Sequence, residues 1–222
     1  DETKNVVTEN NTAKTTIDSK TSTTNQVTTT VEGPKKTVSD ADETNVTNNT
    51  VRSLADDWTY SITEKVAKGA DEKYTSFVFK DPIEECMKIN SVKVKADNGN
   101  DVSDWFNIST DSNNVVATLK DPSGNADFYN NSAYTMEINV KMDVPENVTE
   151  DQLKSLKEKW ENHGHYNEKK TVIHEENEAF VEINGKNTIT NKPTTNVELS
   201  KTVNDNPGLN ITKDVNRYEH QV

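Results

Sequence analysis

The two ends of this 222-residue chain carry the same stretch of sequence. Residues 1–32, which contain ENNTAKTTIDSKTSTTNQVTTTVE, align without a gap on residues 167–198, which contain EENEAFVEINGKNTITNKPTTNVE, with roughly 14 of 32 positions identical. After a one-residue slip the match continues: Lys36-Thr37-Val38 with Asp40, Asn45 and Thr47 returns as Lys201-Thr202-Val203 with Asp205, Asn210 and Thr212. Self-similarity at a period of about 166 residues marks a tandem array of domains. The expected organisation is the last strands of a preceding repeat (1–32), one complete repeat (33–196) and the first strand of the next (197–222). Domains strung in series make length, which favours a stalk over a solitary enzyme.

Composition narrows the class further. Hydrophobic residues make up 30% of the chain and aromatics 6%, so its few apolar side chains must be buried efficiently. The excess of Thr and Val favours strands. A formal charge of -13 repels nucleic acid and anionic lipid, and no basic run offers a local exception, so neither is an expected partner. No apolar run reaches spanning length and no signal peptide opens the chain, so targeting and anchoring segments for an exported protein are expected outside this segment. Cys86 is the single cysteine, which excludes an intramolecular disulfide and a cage of thiolates. Within Ile83…Cys86-Met87…Ile89 it reads as a small buried hydrophobe.

Strand signals dominate the complete repeat. Trp58, Tyr60 and Ile62 alternate with polar residues, Phe77 and Phe79 flank Val78, Val92 and Val94 alternate with lysines, and Tyr134, Met136, Ile138, Val140 and Met142 alternate with Thr135, Glu137, Asn139 and Lys141. Turns are expected at DNGND (97–101), DPSGN (121–125) and INGKN (183–187), where Gly or Asn supplies positive φ. The fold class is mainly β, a two-sheet sandwich. One helix interrupts it: Thr149-Glu150-Asp151-Gln152 is a capping box, and Leu153, Leu156 and Trp160 then share a helical face. A crossover helix covering the sandwich is expected there.

Enzyme signatures are missing. The sequence has no Gly-rich phosphate loop, no Gly-x-Ser-x-Gly elbow and no His-Glu-x-x-His helix. His163 and His165 have a spacing a metal could use, but two histidines in a polar loop are more simply solvent-exposed, and no metal ligands are assigned. DNGND resembles the start of a calcium loop yet lacks the later Glu and flanking helices of an EF-hand. It reads as a turn, with a weak calcium ion as the alternative; no cofactor is expected.

Several segments, in this order, resemble a known family: GPKKTVSDADETNVTNNTV…WTYSITEKV, YTSFVFKDPIEECMKINSVKVKADNGNDVSDWFNIS, AYTMEINVKM and ENEAFVEINGKNTITNKPT. Together they resemble the isopeptide-forming domain of Gram-positive fimbrial and adhesin proteins, and in particular the C-terminal domains of streptococcal antigen I/II adhesins. The resemblance spans residues 33–196. It implies an immunoglobulin-like sandwich whose first-strand lysine is joined by an amide to an asparagine near the last strand, with a buried acid assisting. Carried onto this sequence, the lysine is Lys36, the asparagine Asn191 and the acid Asp81, with Glu84 and Glu85 close by as alternatives. The repeat register supports the choice, since Lys36 aligns with Lys201 while Lys35 aligns with Ser200, and Asn191 aligns with Asn25.

The chemistry of such a site is coherent. Burial in an apolar sandwich pushes a lysine toward its neutral, nucleophilic amine and a carboxyl toward its protonated form. A protonated Asp81 could then polarise the carboxamide and pass a proton to departing ammonia. The competing interpretation is a plain Lys36–Asp81 ion pair with Asn191 as a turn residue. The resemblance implies a tandem stalk or adhesin repeat on a Gram-positive cell surface, with neighbouring repeats as partners and no enzymatic turnover beyond the single self-catalysed bond. A module recognising a host glycoprotein or glycan is the alternative; Trp58, Trp105 and Trp160, however, read as core. A hydrolase using paired carboxylates is the third possibility, but no pair stands out.

Overall fold

The computed structural model describes residues 6–198 apart from 68, 70, 146–147 and 168–171, so the expected strand of a following repeat, with Lys201, lies almost wholly outside the described residues. In chain order the strands are β1 (Val6–Asn11), β2 (Lys14–Ile17), β3 (Lys20–Thr23), β4 (Val27–Glu32), β5 (Lys35–Ser39) and β6 (Asn48–Val51). Then come β7 (Asp57–Lys65), β8 (Phe77–Pro82), β9 (Met87–Ala96), β10 (Phe106–Ser109), β11 (Asn114–Leu119) and β12 (Ala133–Met142). Helix α1 (Glu150–Asn162) leads into β13 (Tyr166–Asn167), β14 (Val172–Glu176), β15 (Phe180–Ile183), β16 (Lys186–Ile189) and β17 (Thr194–Glu198).

The protein is a β-sandwich. One layer is the sheet β5-β7-β12-β9. The facing layer is divided into a five-stranded sheet, β10-β11-β8-β15-β16, and a four-stranded sheet, β13-β14-β17-β6. A side-chain contact from the first layer reaches each: Lys36 of β5 meets Asp81 of β8, and Tyr60 of β7 donates to the Thr195 hydroxyl of β17. The sequence pattern led to a sandwich of two sheets; the division arises because one long ribbon changes sheet halfway along. β14 pairs with β17 and β15 with β16, and between these pairs the ribbon breaks at 177–179 and 190–193. Pro193, which has no N–H to give a ladder, lies in the break but accepts from the Asn177 amide.

β12 carries the clearest period of two. Tyr134, Met136, Ile138, Val140 and Met142 are fully buried while the residues between them are half-exposed, and the strand is flanked by β7 and β9. Buried residues from all three sheets join in one core. At one end an aromatic cluster fills it, with Phe128 stacked on Tyr134 at 4.3 Å between ring centroids.

Helix α1 begins with the capping box read from the sequence: Thr149 Oγ1 accepts from the Gln152 amide, and Gln152 Oε1 from the Thr149 amide. Trp160 is buried, and Leu153 and Leu156 pack partly against the core. The INGKN turn joins β15 to β16 with Asn184 and Gly185 at φ 52° and 77°, as a tight hairpin requires. At DNGND both aspartates are committed to serines, Asp97 to Ser132 and Asp101 to Ser103.

The first 32 residues repeat the pairing of the closing ribbon. β1 pairs with β4 from Val6↔Glu32 to Asn11↔Val27, and β14 with β17 from Val172↔Glu198 to Glu176↔Thr194. β2 pairs with β3 from Lys14↔Thr23, as β15 does with β16 from Phe180↔Ile189. Each register coincides once the period of about 166 residues is removed. What differs is burial. Strands β2, β3 and β4 are exposed throughout, whereas Val181, Thr195 and Val197 of the later ribbon are buried. β17 runs to Glu198, so the closing strand continues past residue 196, where the repeat was expected to end.

Candidate functional site

Lys36 opens a run of three buried residues in β5, Lys36-Thr37-Val38. Its register opposite Ile62 of β7 aims the side chain into the sandwich. Asp81 lies in β8 opposite Val115 of β11, in the facing layer. Both side chains are 0% exposed, and Nζ meets Asp81 Oδ2 at 2.5 Å. The ammonium also stands over the Tyr60 ring, 4.7 Å from its centroid.

Burial works against both charges. It is the largest influence on Lys36, whose pKa is lowered despite the opposing attraction of Asp81. It pushes Asp81 up to about 6, against the pull of Lys36 and of the Asn177 side chain. Moving one proton from nitrogen to oxygen gives a neutral amine beside a neutral acid, and both shifts point that way.

Two asparagines from the break in the ribbon converge on this pair. Asn191 is engaged with the main chain of Lys36: its Oδ1 accepts from the Lys36 amide and its Nδ2 donates to the Lys36 carbonyl, each at 2.8 Å. Asn177 is 2% exposed, and its side chain acts on Asp81. Neither Asn177 Nδ2 nor Asp81 Oδ1 completes a hydrogen bond of good geometry, an expensive arrangement for buried polar atoms. Asn177 is not singled out by the sequence, although it aligns with Asn11 of the first copy as Asn191 does with Asn25. Glu84 and Glu85, the alternative acids, turn instead toward His165 and His163.

Those histidines form a second cluster. His165 Nδ1 lies 2.6 Å from Glu175 Oε1, and the Cys86 thiol donates to the same oxygen at 3.5 Å. Burial, reinforced by the negative charge of Glu84, pushes Glu175 up to about 8; burial and then Glu175 push the Cys86 thiol up. Cys86 is buried, as its sequence context implies, but it has a polar partner.

The fold and the buried pair together define a β-sandwich module whose two layers are tied through a lysine and a carboxyl group at the core. The chain belongs to the family of cell surface antigen I/II C2 terminal domains, whose family model matches residues 34–174. Among solved structures it is similar to the C-terminal domain of the Streptococcus pyogenes antigen I/II-family protein AspA, at 16% identity and TM-score 0.49 over 80% of this chain and 50% of that one. It is also similar to BcpA, the major pilin subunit of Bacillus cereus, at 14% identity and TM-score 0.49 over 75% and 41%. SpaD, the major pilin of Corynebacterium diphtheriae, matches at 22% identity and TM-score 0.47 over 73% and 34%. The chain thus spans half or less of each of these proteins. No curated protein sequence gives a match. Among the described residues no helix is long and apolar enough to cross a membrane.

Proposed function

We propose that this chain is a stalk repeat of a Gram-positive cell-surface adhesin, exported and held at the cell wall through segments outside it, and that its sandwich is welded by a self-catalysed amide between Lys36 and an asparagine. The observation that carries this reading is the fully buried Lys36–Asp81 pair, placed beside two asparagine carboxamides. The neutral Lys36 amine attacks the carboxamide carbon; the C–N bond forms, the carboxamide nitrogen leaves as ammonia, and Asp81 relays the proton. No other reactant is consumed.

Asn191 is the acceptor that the resemblance implies; Asn177, whose side chain bears on the acid, is the acceptor favoured here. Both polar atoms of the Asn191 side chain are occupied by the Lys36 main chain, which splints β5 to the ribbon. The Asn177 side chain acts on Asp81 itself, so the proposed relay acid and this carboxamide are neighbours in the core. Neighbouring repeats are the natural partners of such a module, and the shared register of the two ribbons supports a serial arrangement.

Mass spectrometry tests this. The intact protein should weigh one ammonia less than its sequence, and digestion should yield a branched peptide joining the Lys36 segment to the segment bearing Asn177. A branch to Asn191 would keep the weld and reassign its acceptor. A full mass would overturn the weld.

A further inference from the structure

Far along the sequence from one another, residues 85–86, the segment just after α1 and strand β14 bring five metal-ligating side chains together, Glu85, Cys86, His163, His165 and Glu175, with Glu84 3.9 Å from His165. We propose that Cys86, His165 and Glu175 hold a zinc ion. Their donor atoms lie within 4.8 Å of one another, and Cys86 and Glu175 are buried with His165 partly covered. A thiol, an imidazole and a carboxylate form a mixed S, N, O set, which suits zinc and is wrong for calcium, whose ligands are all oxygens.

The geometry is close to what the ion needs. Around a tetrahedral zinc with bonds of roughly 2.0–2.3 Å, neighbouring donors sit about 3.4–3.6 Å apart. The Cys86–Glu175 separation of 3.5 Å already meets this, and the His165–Glu175 contact of 2.6 Å has to open by less than ~1 Å. Three protein donors leave the fourth position to water. The ion displaces the thiol proton and any proton on the carboxyl, and the resulting thiolate and carboxylate balance its two positive charges, so the buried centre ends neutral. The other triad, Glu85, His163 and His165, is more exposed and has no sulfur.

Such a centre has a structural purpose that follows from its position. α1 buries one residue, Trp160, and the segment that follows the helix meets the sandwich at His163 and His165. A zinc ion there would staple helix, turn and sheet in a fold whose one cysteine allows no internal disulfide.

The 222-residue chain, stripped of metal, should bind one equivalent of Zn2+ by calorimetry. With Co2+ as the probe it should show the near-ultraviolet charge-transfer absorption of a thiolate–metal bond, a readout on the unmutated protein. Cys86→Ser should abolish that absorption and weaken Zn2+ binding at least tenfold; Glu175→Gln should also weaken binding tenfold or more. His163→Ala should leave affinity within about twofold. Absence of the thiolate band, or unchanged Zn2+ affinity in Cys86→Ser, would overturn the proposal. So would loss of binding in His163→Ala with Cys86→Ser unaffected, which would place the ion on the outer triad.

Discussion

Asn191 grips Lys36 by its backbone and leaves the amine to Asp81: the carboxamide spans the Lys36 N–H and C=O at 2.8 Å each, while Nζ lies 2.5 Å from the acid. The two asparagines of the ribbon's break are therefore separable by mutation. Asn177→Ala should restore the missing ammonia. Asn191→Ala should keep the mass deficit and cost about 2 kcal/mol, two hydrogen bonds at about 1 kcal/mol each. Intact mass with thermal melting reads both effects, and the opposite pattern would make Asn191 the acceptor.

Asp81→Asn removes the proton relay and leaves Lys36 a neutral polar neighbour of similar size. The variant should fold, carry its full sequence mass and lose the stabilisation of a closed loop of roughly 140 residues, estimated at ~5 kcal/mol by the chain-entropy account. A variant that retains the mass deficit would show that Asp81 does not drive the bond.

Lys36→Met exposes the electrostatics of the pair through pH. Asp81 stays buried but loses the amine that pulls its pKa down, so it rises above the value of about 6 it has beside Lys36. A folded pKa above the unfolded value, here 3.8, contributes stability that is fully present below the unfolded pKa and lost as pH rises through the folded one. At about 1.4 kcal/mol per pKa unit, the variant should lose on the order of 3 kcal/mol or more between pH 4 and neutrality. Lys36→Met/Asp81→Asn should lack this slope. Equal slopes in denaturant melts of the two variants would contradict the assignment.

Trp160 anchors α1 to the core at 2% exposure. Trp160→Ala should cost about 3–5 kcal/mol. Thr149→Ala, which removes one arm of the capping box, should cost ~1 kcal/mol. If the two losses are equal, the helix is not held chiefly by its tryptophan.

Hydrogen exchange should divide the chain near residue 33. The strands β2 to β4 have exposed side chains and pair only as ribbons, so their amides should exchange far faster than those of β7 and β12. Comparable protection would mean that the first ribbon docks on a surface not described above.

Much of this architecture could be read from periodicity. The alternation in β12, the capping box of α1 and the turn at Asn184-Gly185 are local signals, and the structure places each where the pattern does. The roles of Lys36 and Asp81 were implied by the family resemblance, with the repeat register favouring Lys36 over Lys35. Asn177 did not, because asparagine is abundant in this chain and only the ribbon's change of sheet buries this one. The divided facing layer was hidden for a related reason: β6, β14 and β17 are short and rich in Asn, Thr and charged residues, so they carry no apolar alternation. The Cys86–His165–Glu175 cluster joins positions up to 89 residues apart, a distance at which residue spacing carries no information.

The ribbon's register, repeated in both copies, bears on when the domain is finished. Every pairing within it is local in sequence, so it forms at small loop-closure cost. It is also the last part of the repeat to leave a ribosome or a secretion pore. Lys36 and Asp81 emerge earlier than the two asparagines, which arrive on this final piece, so under the proposed weld no carboxamide could meet the amine before the ribbon has changed sheets and docked. Closing the amide would thus certify a completed fold: a repeat that misassembled would remain open, and one that assembled would be locked once, without return.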